Sequence, residues 1–485
     1  MRRTVALAAA AAALALPALA VAFPNTEPLA AKQWYLTQDK AWDFWPALPD
    51  LYPVKVAVID SGIDNSHPDL VGRVVAAKSF VGGSPFDDTN GHGTFVAGEI
   101  AANPTNGIGI AGLAFNARLI DAKVVTAQGE VSLPAEVAAI RWSVAEGAKV
   151  INLSLGGLRD PLNPSLDTYS PLEQAAIEYA VSKGVVVVAA VGNGTQSPAK
   201  PWNFATYPAA LPHVIGVSAD TETGAVPAYS NRDAIYNDIS APGDDIFSTI
   251  PQSLVPEGST CADGAYSDCG PGDFHPAIGT SFSAPQVSAA AALLLGQDPM
   301  LTPDQVSFLL ERSADDANAS TGCSICPTGR DAYTGWGTLD VDAALTLLTS
   351  GAPLPRPDAY EPNDDAGPWS HAIPALPTTI AASLDYWDDN VDVYRVYLHK
   401  GQQLFARLTP AAKATVRLAL WPPGTQHVEG LAASSKRLAQ SRAVGAQARL
   451  SYKVKKTGTY YVEAKLVSQS RDPVQYRLSV SRRSP

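Results

Sequence analysis

Charge is sparse in this chain. Only 17% of its 485 residues are Asp, Glu, Lys or Arg, against 46% hydrophobic. That balance excludes a disordered chain and suits a large core. Basic charge is the scarcer sign, with 35 Lys and Arg against 47 Asp and Glu for a net charge of −12, which argues against non-specific nucleic-acid binding. Long apolar runs are missing too, save one at the N-terminus. There Arg2 and Arg3 precede an Ala- and Leu-rich stretch ending in small residues, Ala18-Leu19-Ala20 or Ala20-Val21-Ala22. Residues 1–22 therefore read as a signal peptide, with Pro17 and the alanine content favouring cleavage over an uncleaved anchor. The mature protein is expected to be secreted, extracellular and free of stable membrane insertion. Cysteine is rare as well: Cys261, Cys269, Cys323 and Cys326 suit an oxidising compartment as two disulfides. Of three connectivities, 261 with 269 and 323 with 326 is the simplest. A thioredoxin-like redox motif is the rival for Cys323 and Cys326, but they sit in a loop and not at a strand-to-helix junction.

What is present points to two or three domains. Short, fully apolar runs, Val54–Ile59, Leu119–Val125, Lys149–Leu153, Val185–Ala190 and Val214–Val217, are what a parallel sheet covered on both faces requires. Helical stretches fall between them. One is announced by Ser170 as N-cap, Pro171 at the first position and Glu173 completing a capping box, with Gly184 past its end. Thr302-Pro303-Asp304-Gln305 repeats the starting device. The fold class is α/β, a doubly wound mostly parallel sheet over residues 23–350, whose ligands gather at the carboxyl ends of the strands. Residues 351–357 form a stiff Pro-rich linker. Beyond it, period-two runs such as Val391–Leu398 and Gln475–Val480 make residues 358–485 a small all-β sandwich.

Three stretches carry chemistry. Asp60 stands at a strand end before Ser61-Gly62, His92 lies between Gly91 and Gly93, and Ser281 opens a run of small and apolar residues that reads as a buried helix. Singly, each has a plainer role: a turn cap, a structural imidazole, a helix N-cap. Together they have the residue types of a serine nucleophile, an imidazole base and an orienting acid, in the chain order Asp, His, Ser.

With Val58-Ile59-Asp60-Ser61-Gly62, Gly91-His92-Gly93-Thr94 and Gly279-Thr280-Ser281, the segment from about Pro24 to Leu348 resembles the subtilisin-like serine peptidases. The resemblance implies a serine endopeptidase with Asp60, His92 and Ser281 as catalytic residues and Asn193 as oxyanion-hole donor. It also implies peptide substrates held between Gly129-Glu130-Val131 and Ser154-Leu155-Gly156, as added strands. Ala190 and Gly192 would wall a pocket roomy enough for an apolar P1 side chain. A structural Ca²⁺ is implied at Asp69, Asn106, Ile108 and Ile110, with Glu27 as an added ligand. A monomer is expected. Asp358-Ala359-Tyr360-Glu361-Pro362-Asn363-Asp364 and the later Thr459-Tyr460-Tyr461-Val462 resemble the bacterial pre-peptidase C-terminal domain, which implies either removal in maturation or binding to a surface or polymer. The acidic residues Asp385, Asp388 and Asp389 read as a solvated loop in preference to a calcium site.

Departures from the pattern carry expectations of their own. Phe282 follows the nucleophile where many members have methionine, which removes an oxidisable thioether. Pro285 has no N–H to bond the Ser281 carbonyl four residues back. Phe23 to Tyr52 leaves room only for an N-terminal arm, so folding is expected to proceed without a cis-acting pro-domain.

Overall fold

The computed structural model describes residues 23–484 apart from 127, 196, 260–263, 271–276, 386–388, 412, 429–435, 442–446 and 468–472. The signal segment, Cys261 and Asp388 thus lie outside the described residues, and with Cys261 the pairing expected for Cys269.

In chain order the first part contains α1 (Trp34–Gln38), β1 (Val54–Asp60), β2 (Val74–Ser79), α2 (His92–Ala101), β3 (Ala117–Lys123), α3 (Leu133–Ala145) and β4 (Val150–Leu153). It continues with α4 (Pro171–Val181), β5 (Val186–Ala190), β6 (Val214–Asp220), β7 (Ile239–Pro242), α5 (Thr280–Gln297), α6 (Pro303–Ser313) and α7 (Val341–Thr349). The seven strands form one sheet in the order β2-β3-β1-β4-β5-β6-β7, every described pair parallel. Side chains alternate along each strand between two cores. Val56 and Val58 of β1 join α2, α5, α6 and α7 on one face, while Ala57 and Ile59 join α3 and α4 on the other. Covering on both faces is why these strands are almost wholly apolar. Helix α5 runs through the first core, with every residue from Phe282 to Gly296 buried.

Two strands escape the apolar-run criterion. β2 is an edge strand with two of its six residues exposed and the other four half-buried, so its composition is mixed. In β7, Ser240 interrupts the run because its hydroxyl donates to Asp220 Oδ2 at 2.9 Å. Helix starts follow the expected devices in part. Thr302 and Gln305 close a reciprocal capping box on α6. Ser170 caps α4 by accepting from Leu172 N and Glu173 N. Glu173, however, turns its buried carboxyl to Glu136 of α3 and not back to the cap.

Among the described residues the second part has nine strands: β8 (His371–Ala372), β9 (Thr378–Leu384), β10 (Val391–Leu398), β11 (Gln403–Pro410), β12 (Val416–Trp421), β13 (Ala439–Gln440), β14 (Ala448–Lys453), β15 (Gly458–Leu466) and β16 (Val474–Arg483). They form two sheets, β13-β12-β15-β10-β8 and β14-β11-β16-β9, antiparallel but for the short β8–β10 pair. Their inner faces enclose one core that includes Tyr394, Leu404, Leu418, Val462 and Leu478. This sandwich sits against α4 and the loop before β6. His427 stacks on Tyr169 with ring centroids 4.6 Å apart. Asp365 Oδ2 accepts from Gln174 Nε2 at 2.9 Å, and Asp364 Oδ2 lies 3.0 Å from His213 Nε2. Cys323 and Cys326 are joined by a disulfide. Among the described residues no helix is long and apolar enough to cross a membrane.

Candidate active site

Asp60 is the last residue of β1, and His92 the first of α2. The imidazole Nδ1 lies 2.9 Å from both carboxylate oxygens of Asp60. Asp60 is almost fully buried and also accepts from Ser61 N at 2.7 Å, so the turn-capping and orienting roles coincide. The two glycines beside His92 have separate reasons. Gly91 adopts a left-handed φ of 92°, and a Cβ on Gly93 would fall 2.2 Å from the Gly62 carbonyl and 3.2 Å from Asp60 Cβ. Burial alone would lower the His92 pKa, but the charges of Asp60 and Asp88 outweigh it and hold the imidazole above its ordinary value of 6.5.

Asp88 was not among the expected site residues, yet it assembles the loop. Its buried carboxylate accepts from Ser61 Oγ, Gly91 N, Thr94 N and Thr94 Oγ1, tying the turn after β1 to the start of α2. Asp87-Asp88-Thr89-Asn90 immediately before Gly91 was the available signal.

Ser281 is the second residue of α5, whose N-cap is Gly279 with no side-chain capping bond. The helix-cap reading of Ser281 is therefore corrected: backbone geometry at Gly279 starts the helix, leaving the serine hydroxyl available for other work. Pro285 withholds the usual donor from the Ser281 carbonyl, and Ser154 Oγ supplies one at 2.7 Å. Ser154 is oriented by Asn152 Nδ2 at 2.9 Å, and Asn152 Oδ1 accepts from Ser288 Oγ of the same helix at 2.8 Å. Phe282 packs its ring between Phe95 and His92, with centroids 4.6 and 5.4 Å away.

Asn193 follows β5. Its Oδ1 accepts from Thr280 N at 2.9 Å and Thr280 Oγ1 at 3.0 Å, which fixes the amide so that Nδ2 is the free end. Ser154, Leu155, Gly156, Ala190, Gly192, Asn193 and Ser281 line one cleft of about 120 Å³. Gly129, Glu130 and Val131 stand apart on an exposed hairpin closed by Thr126 N to Glu130 O at 2.9 Å. A Cβ on Gly129 would come within 4.0 Å of Asn90 Nδ2, which places that hairpin beside the His92 loop.

The expected calcium residues gather near the N-terminal arm. Asp69 is fully buried and accepts from Asn106 Nδ2, Ile110 N and the Tyr266 hydroxyl at 2.8 to 3.0 Å. Asn106 thus turns its nitrogen to Asp69, while its oxygen takes the Ile108 N–H at 3.0 Å. Glu27 is buried alongside, and its Oε2 has no donor among the described residues. Burial first, with the Asp69 charge adding to it, raises the Glu27 pKa. Two adjacent carboxylates, one with an orphaned buried oxygen, fit a hard cation.

The seven-stranded parallel sheet with helices on both faces is the subtilisin-type α/β fold. The model of the subtilase family matches residues 53–337, and the chain belongs to that family. It is 37% identical to subtilisin E of Bacillus subtilis (strain 168) over 293 residues, covering 60% of this chain and 65% of that protein. Fervidolysin of Fervidobacterium pennivorans is 35% identical over 323 residues, 63% of this chain and 42% of the relative. The chain thus spans less than two thirds of the length of either. A solved lanthipeptide protease superposes with a TM-score of 0.52 at 25% identity, covering 65% of this chain and 94% of that one.

Proposed function

We propose that this chain is a secreted serine endopeptidase acting through an acyl-enzyme. The observation that carries the reading is the contact of His92 Nδ1 with both Asp60 oxygens at 2.9 Å, on a subtilase sheet. With its proton held on Nδ1 by Asp60, the imidazole presents Nε2 as general base to Ser281 Oγ. The serine oxygen attacks the scissile carbonyl as His92 takes the proton. The tetrahedral oxyanion is received by Asn193 Nδ2 and the Ser281 N–H, one of the unpaired amides of the first turn of α5. His92 then gives the proton to the departing amine, leaving acyl-Ser281, and next activates the water that hydrolyses it. Substrate backbone pairs with residues 129–131 and 154–156, and the small residues Ala190 and Gly192 leave room for an apolar P1 side chain. Asn193→Ala is expected to lower kcat by on the order of 10²–10³ with KM nearly unchanged, measured on a chromogenic peptide.

A structural Ca²⁺ held by Glu27, Asp69 and the loop of Asn106, Ile108 and Ile110 would neutralise the paired carboxylates and fix the N-terminal arm. The sandwich, similar to the pre-peptidase C-terminal domain, takes a surface or polymer as its ligand. The peptidase reading is tested with a fluorophosphonate probe. Stoichiometric labelling that disappears in Ser281→Ala supports it, whereas an unlabelled native chain defeats it.

Phe282 gives a second measurable consequence. Its ring has no sulfur beside the nucleophile, and Met300, beyond the far end of α5, is 83% exposed. Activity is expected to survive peroxide that fully oxidises Met300. Rapid inactivation tracking a modification near Ser281 would contradict this.

A further inference from the structure

The chain leaves the proposed substrate wall at Gly157 and returns to it at Thr168, whose N–H and Oγ1 both donate to the Leu158 carbonyl, at 2.9 and 3.0 Å. Between these ends the loop is exposed at Leu162 and Leu166. Its outgoing limb is anchored within the peptidase domain. Arg159 pairs with Asp233 at 2.7 Å, both buried, and the Arg159 carbonyl accepts from Trp202 Nε1 at 3.0 Å. The return limb is anchored differently. Tyr169 stacks on His427 of the sandwich, with ring centroids 4.6 Å apart and planes 18° from parallel. The same tyrosine lies edge-on to Tyr207, 5.7 Å away.

One buried carboxylate of the sandwich aligns both rings of this stack. Asp365 Oδ2 lies 2.6 Å from His427 Nδ1 and accepts from Gln174 Nε2 at 2.9 Å, while Gln174 Oε1 accepts from the Tyr169 hydroxyl. Asp365 Oδ1 takes the Val428 N–H at 2.7 Å, which fixes the backbone beside His427. Beyond Tyr169 the contacts lead to the substrate wall. Tyr207 N donates to Gly157 O at 3.0 Å, and Gly157 N to Tyr207 O at 2.8 Å. The wall has no slack there. A Cβ on Gly156 would fall 2.6 Å from Tyr207 O, and one on Gly157 would fall 2.4 Å from Thr168 Oγ1. Groups packed this closely transmit a displacement and do not absorb it. A contact that served only to dock two domains would not need to end on the residues that bracket the wall.

We propose that Asp365 and His427 of the sandwich are positioning residues for peptide hydrolysis, holding Tyr169 and Thr168 so that residues 154–157 keep the backbone geometry that receives an extended substrate. The proposal rests on the peptidase reading above. Pairing with an added strand requires a wall whose backbone is already in place. Loss of the stack should therefore be felt by substrates that pair along the wall and not by those too short to reach it.

The test compares the full chain with its His427→Ala, His427→Phe and Tyr169→Ala forms. Two substrates are used: an extended peptide anilide that can pair along the wall, and an ester of a single blocked amino acid that cannot. Labelling by a fluorophosphonate counts the competent sites in each form. His427→Ala is expected to lower kcat/KM on the peptide by about 2- to 10-fold, the scale of one aromatic pair, with the ester rate and the labelling rate unchanged. His427→Phe keeps a flat ring over Tyr169 and should recover most of the loss. Tyr169→Ala should cost at least as much, and adding His427→Ala to it should cost little more, because both remove the same contact. A native peptide rate in His427→Ala would overturn the proposal, and so would equal losses on peptide and ester, the mark of a merely structural role. Fully additive losses in the double variant would also overturn it, since no coupling would then run through the stack. A native chain that takes no fluorophosphonate defeats the peptidase reading itself, and this proposal with it, which keeps the two failures apart.

Discussion

Ser281→Ala is expected to lower kcat on the order of 10⁶-fold, a scale known from the related subtilisin, with peptide affinity close to native. The size follows from what the substitution removes. Without the hydroxyl no acyl-enzyme forms, and His92 has no proton to take. A residual acceleration of roughly 10³–10⁴ over water should remain, because Asn193 and the cleft still receive the polarised carbonyl. The hydroxyl makes no helix-capping bond, so Ser281→Ala should melt at nearly the native temperature. Single-turnover measurements on a fast ester substrate, alongside calorimetry, read both quantities. A variant that keeps more than a small fraction of the native rate would remove Ser281 from the mechanism.

Asp60→Asn comes next in size, at about 10⁴-fold in kcat. The acid does two things for His92: it accepts the Nδ1 proton, and its charge raises the imidazole pKa against the pull of burial. An amide at position 60 stabilises no imidazolium. Its NH₂ group, where it faces Nδ1, also demands the opposite tautomer. The pH profile separates these effects from mere disorder. In the native protein kcat/KM should fall as pH drops through a value above 6.5, since protonated His92 cannot act as base. In Asp60→Asn burial prevails, so the acid limb should move to lower pH while the plateau collapses. A limb that stays in place would mean that Asp60 does not set the pKa of His92.

Much of this site was legible in the chain because its key residues lie in compact local motifs. Asp60 ends an apolar run, His92 is bracketed by glycines and Ser281 precedes a helix of small residues. The supporting contacts were not legible, since each joins residues far apart whose local patterns say nothing of the partner. Ser154 and Ser281 are 127 positions apart, and Thr280 and Asn193 are 87. The five apolar runs located the central strands well. The missed strands, β2 and β7, were hidden by edge exposure and by the Ser240–Asp220 bond. Glu173 read as half of a capping box because the box is a local pattern, and the competing Glu136 is reached only through helix packing. Likewise the acids Asp385 and Asp389 were visible, but folding sets Asp389 beside Glu361 and Asp392.

The bond from Ser154 to the Ser281 carbonyl would make the proposed specificity wall and the proposed nucleophile one mechanical unit. On that proposal, a peptide that seats badly against residues 154–156 would strain the same hydroxyl that holds the first turn of α5. Poor substrates should then lose turnover more than affinity, because misfit at the wall shifts the attacking oxygen away from its line of approach. Discrimination in such an enzyme is exercised during the reaction and not at the door.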